Sequence, residues 1–340
     1  MKRLNILFLV PSLNIGGAER HIYSLVLNLK KERFNPIIVC LYELGKVGSE
    51  LIASGLEVHH GLMRHELDIP GALRVLSIIK SKRIDIIYAI HSPLSLFWGT
   101  VWKRLAPVKS LITRVASTRP IYNHKKIRIA NLLFLPFVDR VICQADSHRE
   151  RVMAIQRIDP GKIEVIYNGI DLRWFDNLLN RSEMRVTQEI PRNQPIVGIV
   201  SRLRPEKGLS TFLESARIIH KSLKDIHFLI IGDGDQRGYL EKMAEDFMIY
   251  KNVHFLGEVI NVAPFISLFD VGVTASAAAY EAFPNALLEY MAASKPVVVT
   301  DVGSIQEIVV NNKTGFVIPA KDAKAMADAI SRLLIDKKLA

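Results

Sequence analysis

Glu281-Ala-Phe-Pro-Asn-Ala-Leu-Leu-Glu289 lies between two short apolar runs, 271–274 and 296–300. Proline suits the first turn of a helix and not its interior. Pro284 therefore places Glu281 in a loop and Glu289 about one turn inside a helix that runs from about 286 to 293. Were the whole stretch helical, its two carboxylates would sit about 80° apart after two full turns and share one broad face. A strand, a loop, a helix and a second strand make a βαβ unit, whose strands run parallel. In isolation the stretch also fits an ordinary helix start carrying two solvated acids.

The same alternation extends in both directions. Towards the C-terminus it gives a short helix at 305–309, a strand at 315–317 and a helix at 323–334. Upstream it gives strands at 196–200, 227–231 and 253–256, with helices at 209–220, 238–247 and 262–266. Residues 172–193 are polar and irregular, with Pro191 near their end and Pro195 just beyond, which reads as an exposed connection. Before them the pattern occurs once more, with strands at 4–10, 36–41, 56–59, 84–90, 110–115, 139–144 and 163–167 and helices between. The fold class is α/β, with two parallel-sheet domains: 1–170, a connection over 171–193, and 194–340. A ligand is expected in the cleft between the domains, at the carboxyl ends of the strands.

The 340 residues are enough for two cores, and 49% are hydrophobic. The formal charge of +11 is unevenly spread: residues 1–170 hold 25 Lys/Arg against 13 Asp/Glu, and residues 171–340 hold 20 against 21. No acid lies between Asp85 and Asp139, a span that carries Lys103, Arg104, Lys109, Arg114, Arg119, Lys125, Lys126 and Arg128. Such a field suits an anionic partner, whether membrane headgroups, a phosphorylated acceptor or nucleic acid, and also serves as a solubilising face. Nucleic acid lacks a recognition motif or interleaved aromatics here. Cys40 and Cys143 each lie in an apolar run and read as buried free thiols. No Cys/His cluster has metal spacing. Lys2-Arg3 precedes a short apolar run that reads as a strand and not a signal peptide. No stretch is apolar for the length a spanning helix needs, so any membrane contact is expected to be peripheral.

Several strand ends carry candidate binding residues. Gly16-Gly17-Ala-Glu-Arg20 follows the first strand and opens a helix, where small residues admit a ligand to the backbone. It lacks a full dinucleotide fingerprint, and a tight turn explains it equally well. Ser201-Arg-Leu-Arg-Pro-Glu-Lys-Gly208 puts Arg202 and Lys207 at a sheet edge, where a guanidinium fork and a point charge could neutralise a diphosphate. Gly232-Asp-Gly234 and Gly303-Ser-Ile-Gln-Glu307 end two further strands. Cations suit phosphates and carboxylates suit sugar hydroxyls, so Arg202, Lys207, Glu281 and Glu289 together fit a nucleoside diphosphate sugar better than a dinucleotide.

Taken in order, Gly16–Arg20, Asn168-Gly-Ile-Asp171, Ser201-Arg-x-x-x-x-Lys207-Gly, Gly232-Asp-Gly234 and Glu281-x-Phe-Pro-Asn-x-x-x-Glu289 with Gly315-Phe resemble the retaining family 4 glycosyltransferases of the GT-B fold, across essentially the whole chain. The resemblance implies two Rossmann-like domains facing each other across a cleft, the first for the acceptor and the second for the donor. By similarity Arg202 and Lys207 clamp the donor diphosphate, Glu289 binds ribose and Glu281 faces the transferred sugar. Backbone around Phe283, Asn285, Ala286 and Leu287 holds phosphate or sugar, Gly232 lines the nucleotide, and Gly16 and Gly17 let the first domain close over the donor. His91, Arg114 and Arg119 are the first-domain candidates for acceptor or sugar contact. The chain departs from the family at Ala282, where glycine is commonest, and in 113–118, where many members carry a histidine. It also stops soon after Leu334, so the last helix by which many relatives cross back is expected to be short or absent.

The implied reaction moves a hexose or N-acetylhexosamine from a nucleotide sugar, UDP-linked in preference to GDP-linked, to a glycan or lipid-linked acceptor with retention, as in surface polysaccharide or lipopolysaccharide synthesis. No metal and no separate cofactor are expected, and the setting is cytoplasmic, at the inner face of an anionic membrane. The competing readings are a sugar-nucleotide epimerase, which should mark a pair of acid–base groups near the sugar, and a non-catalytic sugar-nucleotide binding module.

Overall fold

The computed structural model describes residues 2–90, 92–115, 125–156, 158–176, 190–191, 193–278, 281–336 and 339, with backbone alone at 125–128. The chain divides into two compact units, Met1–Asn168 and Gly169–Ala340.

In the first unit the strands are β1 (Leu4–Val10), β2 (Phe34–Cys40), β3 (Glu57–His59), β4 (Ile86–Ile90), β5 (Ser110–Arg114), β6 (Arg140–Cys143) and β7 (Ile163–Val165). They form one sheet in the order β3-β2-β1-β4-β5-β6-β7, with parallel neighbours throughout. The helices between them are α1 (Gly17–Asn28), α2 (Gly45–Ala53), α3 (Ile69–Ser81), α4 (Pro93–Leu105), α5 (Lys125–Phe134) and α6 (Asp146–Gln156). Alternate side chains of a strand face opposite ways, and both faces here are covered. Leu7, Leu9, Ile37, Val39 and Ile87 pack with Val75, Ile79 and Trp102 on one side. Ile6, Phe8, Val10 and Ile38 pack with Ile22, Val26 and Leu51 on the other. Pro36 has no N–H to give a neighbouring strand, and β3 pairs only with Ile37, Ile38 and Val39.

The second unit repeats the plan. Its strands β8 (Ile196–Val200), β9 (His227–Ile231), β10 (Val253–Gly257), β11 (Val271–Thr274), β12 (Val297–Thr300) and β13 (Phe316–Ile318) lie in the order β10-β9-β8-β11-β12-β13, again parallel. The helices α7 (Leu209–Ser222), α8 (Arg237–Asp246), α9 (Ala263–Ser267), α10 (Asn285–Ala292) and α11 (Ala323–Ile335) cover its faces. Phe212, Ala216, Met326 and Ile330 close one face. Ile266, Leu287 and Tyr290 close the other. Two strand glycines make room for rings: a Cβ on Gly198 would meet Phe269 at 2.1 Å, and one on Gly272 would meet Tyr290 at 2.7 Å. In each sheet the order reverses direction once, between β1 and β4 and between β8 and β11. The loops that leave the carboxyl ends of such a pair diverge and frame a crevice.

Several expectations are corrected in detail. The helix expected at 305–309 is a single 3₁₀ turn, Ile305–Glu307; the β-branched run Ile308, Val309 and Val310 resists helical continuation. Lys207 sits in a 3₁₀ turn of its own, Pro205–Lys207. Of the connection expected over 171–193, Leu172–Phe175 is a 3₁₀ turn capped by Asp171, and 177–189 and 192 lie outside the described residues. Both cysteines are free and buried, and burial pushes their thiols up, to about 11 at Cys40 and about 12 at Cys143. Among the described residues no helix is long and apolar enough to cross a membrane.

Candidate functional site in the second unit

Three loops meet at the carboxyl edge of the second sheet. The loop after β8 begins at Ser201, whose N–H donates to Ile231 O (2.9 Å), and is anchored by the fully buried Leu203. It carries the half-buried Arg202, then Lys207, and ends at Gly208 with φ of 67°. A Cβ on Gly208 would lie 1.9 Å from Ala275 O, so the left-handed turn and the close approach both demand glycine. The loop after β11 holds Ser276 and Glu281, and Ala277 N–H donates to Glu206 O (2.9 Å), tying it to the first loop. The loop after β12 comes up beneath: Ser304 N–H donates to Glu281 O (3.3 Å), and a Cβ on Gly303 (φ 60°) would lie 1.8 Å from that same oxygen.

These constraints bring Lys207 and Glu281 together. The Lys207 ammonium lies 2.5 Å from Glu281 Oε2, and Ser276 Oγ donates to the same oxygen at 2.7 Å. The lysine side chain is 25% exposed and the carboxylate 15%. Two groups 74 residues apart thus form a charge-assisted contact at the rim of the sheet. The partly buried pair keeps a positive charge localised where an anion could reach it, and gives the carboxylate a fixed orientation.

Glu289 lies on α10 and is buried. Its helix is fixed by the neighbouring Tyr290, whose hydroxyl accepts from Val200 N–H (2.7 Å) and donates to Val273 O (3.3 Å). One phenol thereby links the ends of β8 and β11, the pair at which the sheet reverses. Complete burial drives the Tyr290 hydroxyl far above its ordinary range, so it stays a neutral donor. The N-cap of α10 is Pro284, and the positive end of the helix dipole faces the loop that carries Glu281. Phe283 and Leu287 are buried side chains, so their part in any ligand contact is confined to backbone. Asn285 and Ala286 are partly exposed at the first turn. Ala282 is buried and outside the left-handed region, so the backbone accepts its methyl.

Gly232 and Gly234 are explained by packing. A Cβ at these positions would meet Ser201 O at 2.0 Å and Leu203 O at 2.5 Å. They seat the Arg202 loop.

The first-unit candidates belong to the other compact unit. Gly16 is the extended N-cap of α1, and Arg20 N–H donates to its carbonyl (2.8 Å). Gly17 begins the helix in open space, with nothing within 4 Å of an added Cβ. Arg114 ends β5 and is buried, its Nη2 donating to Asn168 Oδ1 at 2.7 Å. Burial holds its guanidinium below the usual range. His91 and Arg119 lie outside the described residues. Sequence reasoning missed Ser276 and Tyr290. Ser276 had a signal, a hydroxyl in the same short loop as Glu281; Tyr290 had only its place beside Glu289. Among the described residues no group of three or more His, Cys, Asp or Glu is placed to hold a metal ion.

Two family models match, "Glycosyltransferase Family 4" over residues 15–174 and "Glycosyl transferases group 1" over residues 180–340. An Escherichia coli UDP-Gal:alpha-D-GlcNAc-diphosphoundecaprenol alpha-1,3-galactosyltransferase is 27% identical over 286 residues, 80% of this chain and 72% of that protein. The Saccharomyces cerevisiae phosphatidylinositol N-acetylglucosaminyltransferase GPI3 subunit is 26% identical over 318 residues, 90% of this chain and 69% of that protein. Among solved structures, Anabaena HepE in complex with UDP and glucose superposes with a TM-score of 0.87 at 21% identity, covering 99% of this chain and 91% of that one.

Proposed function

Since this chain belongs to glycosyltransferase family 4 and has the two parallel-sheet domains of the GT-B class, we propose that it moves a hexose or N-acetylhexosamine from a UDP-linked donor to a lipid-linked glycan acceptor, with retention of anomeric configuration. It is a transferase that uses a nucleotide sugar. The observation that carries the finer reading is the joined trio of loops at the edge of the second sheet, with Lys207 and Glu281 in contact.

Charge grows on the departing diphosphate as the bond to the sugar breaks. Groups already aimed at that charge lower the barrier most, because they need no reorganisation as it forms. Arg202 and Lys207 occupy that role, with the N-terminus of α10 adding its dipole. Glu281 orients Lys207 before the donor arrives and faces the transferred sugar afterwards. Glu289, held by the Tyr290 link, receives the ribose hydroxyls. The carbonyls and amides around Phe283–Ala286 complete the phosphate and sugar contacts.

The donor and acceptor classes are supported by the relatives. The Escherichia coli relative is named for UDP-Gal and a diphosphoundecaprenol-linked sugar, the yeast relative for phosphatidylinositol, and HepE is described with UDP and glucose. Both named acceptors are lipids that carry phosphate, which agrees with the excess of Lys and Arg in residues 1–170. A role in surface polysaccharide assembly follows from such an acceptor. The test is a donor panel, UDP-glucose, UDP-galactose, UDP-N-acetylglucosamine and a GDP-sugar, against polyprenyl-diphosphate-linked sugar acceptors, with product read by mass spectrometry. Transfer from a UDP-sugar is expected; transfer only from the GDP-sugar, or hydrolysis without transfer to any lipid-linked acceptor, would overturn the assignment.

A further inference from the structure

Helix α5 and the 3₁₀ turn that follows it, Leu135–Phe137, turn Phe134 and the buried Leu135 towards the core and leave a second set of apolar residues in solvent. Ile129, Leu132, Leu133 and Phe137 recur at the spacing that on a surface helix packs against a core. Here they are 49%, 73%, 55% and 38% exposed. The inward side carries Asn131, which is buried with neither amide atom hydrogen-bonded among the described residues. With Phe134 and Leu135 packed on the core, the segment is apolar on its outer side as well as its inner one, more than a free surface element needs. Leu105, at the end of the adjoining α4, adds a further exposed apolar side chain.

The rim of this patch is basic. The Arg104 guanidinium lies over the Phe137 ring, its central carbon 4.1 Å from the ring centre. Lys103 Nζ donates to Phe137 O (3.3 Å) and pairs with Asp139. Lys162 Nζ donates to Pro136 O at 2.7 Å. From residue 86 to residue 138 the sequence holds no carboxylate at all. An isologous contact with a second copy would set this rim against itself, like charge on like. An apolar stripe whose rim is predominantly cationic fits a surface that is apolar inside and anionic outside, which is a bilayer with acidic headgroups.

We infer that α5 and its 3₁₀ turn are the seat on an anionic membrane, with Ile129, Leu132, Leu133 and Phe137 entering the acyl boundary and Arg104 and Lys162 meeting phosphates. This goes beyond the transfer reaction and rests on it only for the reason such a seat would serve the protein, delivery of a lipid-linked acceptor.

The test is co-sedimentation of the full chain with vesicles of phosphatidylcholine, alone or mixed with phosphatidylglycerol. The native chain should sediment with the mixed vesicles and far less with the neutral ones. L132S/L133S changes only exposed side chains and should weaken partitioning at least about tenfold. R104Q should weaken it several-fold and flatten its dependence on salt. Equal failure on both vesicle types, or unchanged binding by L132S/L133S, would overturn the assignment. So would a native dimer that L132S/L133S dissociates, since the patch would then cover a second copy. Titration of the same samples with UDP keeps the two readings apart. Vesicle binding without UDP binding retains the seat and removes the transfer reaction, and L132S/L133S should bind UDP within about twofold of the native chain.

Discussion

Lys207 and Glu281 make the site's most specific contact, and each has its own expected signature on substitution. On the proposed assignment, Lys207→Ala removes a charge-assisted donor to the diphosphate, a contact of about 1.5–3 kcal/mol, so UDP affinity should fall about 10- to 100-fold by calorimetry. Glu281→Gln keeps the shape and loses the charge. Its UDP affinity should change by less than about tenfold while turnover falls by about 100-fold or more, because the group acts on the sugar and on the lysine's aim. Equal losses in binding and turnover would remove that division of roles. A residue in the first unit governs pH dependence instead. Burial, and then the Arg114 guanidinium, push the His21 imidazole down to about 3. The unfolded chain takes up a proton below the ordinary value near 6.5, and the folded chain refuses it. Stability should therefore be complete above that pH and fall by up to about 1.4 kcal/mol per pH unit as pH drops from it towards 3. Denaturant unfolding at pH 7 and pH 5 should show this loss in the native protein and a smaller one in His21→Gln.

At the scale of elements, the loops after β8, β11 and β12 are held by backbone contacts that only glycine permits. Gly303→Ala would push a methyl into Glu281 O and strain a left-handed residue. It should cost at least about 1 kcal/mol of stability and most of the transfer activity. Gly17→Ala, in open space at the start of α1, should leave thermal stability within about 0.5 kcal/mol. A loss of activity there without loss of stability would mark a ligand at that turn. These cases show what the sequence could convey. Strand alternation and the proline of the Glu281 stretch made the parallel sheets readable, because periodicity and proline geometry are local. The short 3₁₀ turns at Pro205–Lys207 and Ile305–Glu307 were not readable as such, since a few residues carry no period. The purpose of Gly232 and Gly234 was legible only as close approach; which atoms approach depends on a loop some 30 residues upstream. The Tyr290 link and the Ser276 bond join groups distant in the chain or unremarkable in type, and so left almost no trace in the sequence. The basic, amphipathic character of α5 was legible in the sequence; which of its apolar residues stay exposed was not, since Phe134 and Leu135 share the segment and turn to the core.

The two units have separate cores and unequal charge balance, basic before residue 171 and near neutral after it. The proposed function assigns the anionic, lipid-borne acceptor to the basic unit and the nucleotide sugar to the other. Retention is a property of the complete reaction: proton NMR of the first product formed from an α-linked UDP-sugar should show an α-glycoside, and a β-glycoside would exclude the proposed stereochemistry. The central claim is that the loops around Lys207, Glu281 and Glu289 bind a nucleoside diphosphate, and isothermal titration of the full chain with UDP, GDP and ADP tests it most directly. Tight binding of UDP above the other two, weakened about 10- to 100-fold by Lys207→Ala, is the predicted result; a folded native chain that binds none of the three, or binds UDP equally well without Lys207, would contradict it.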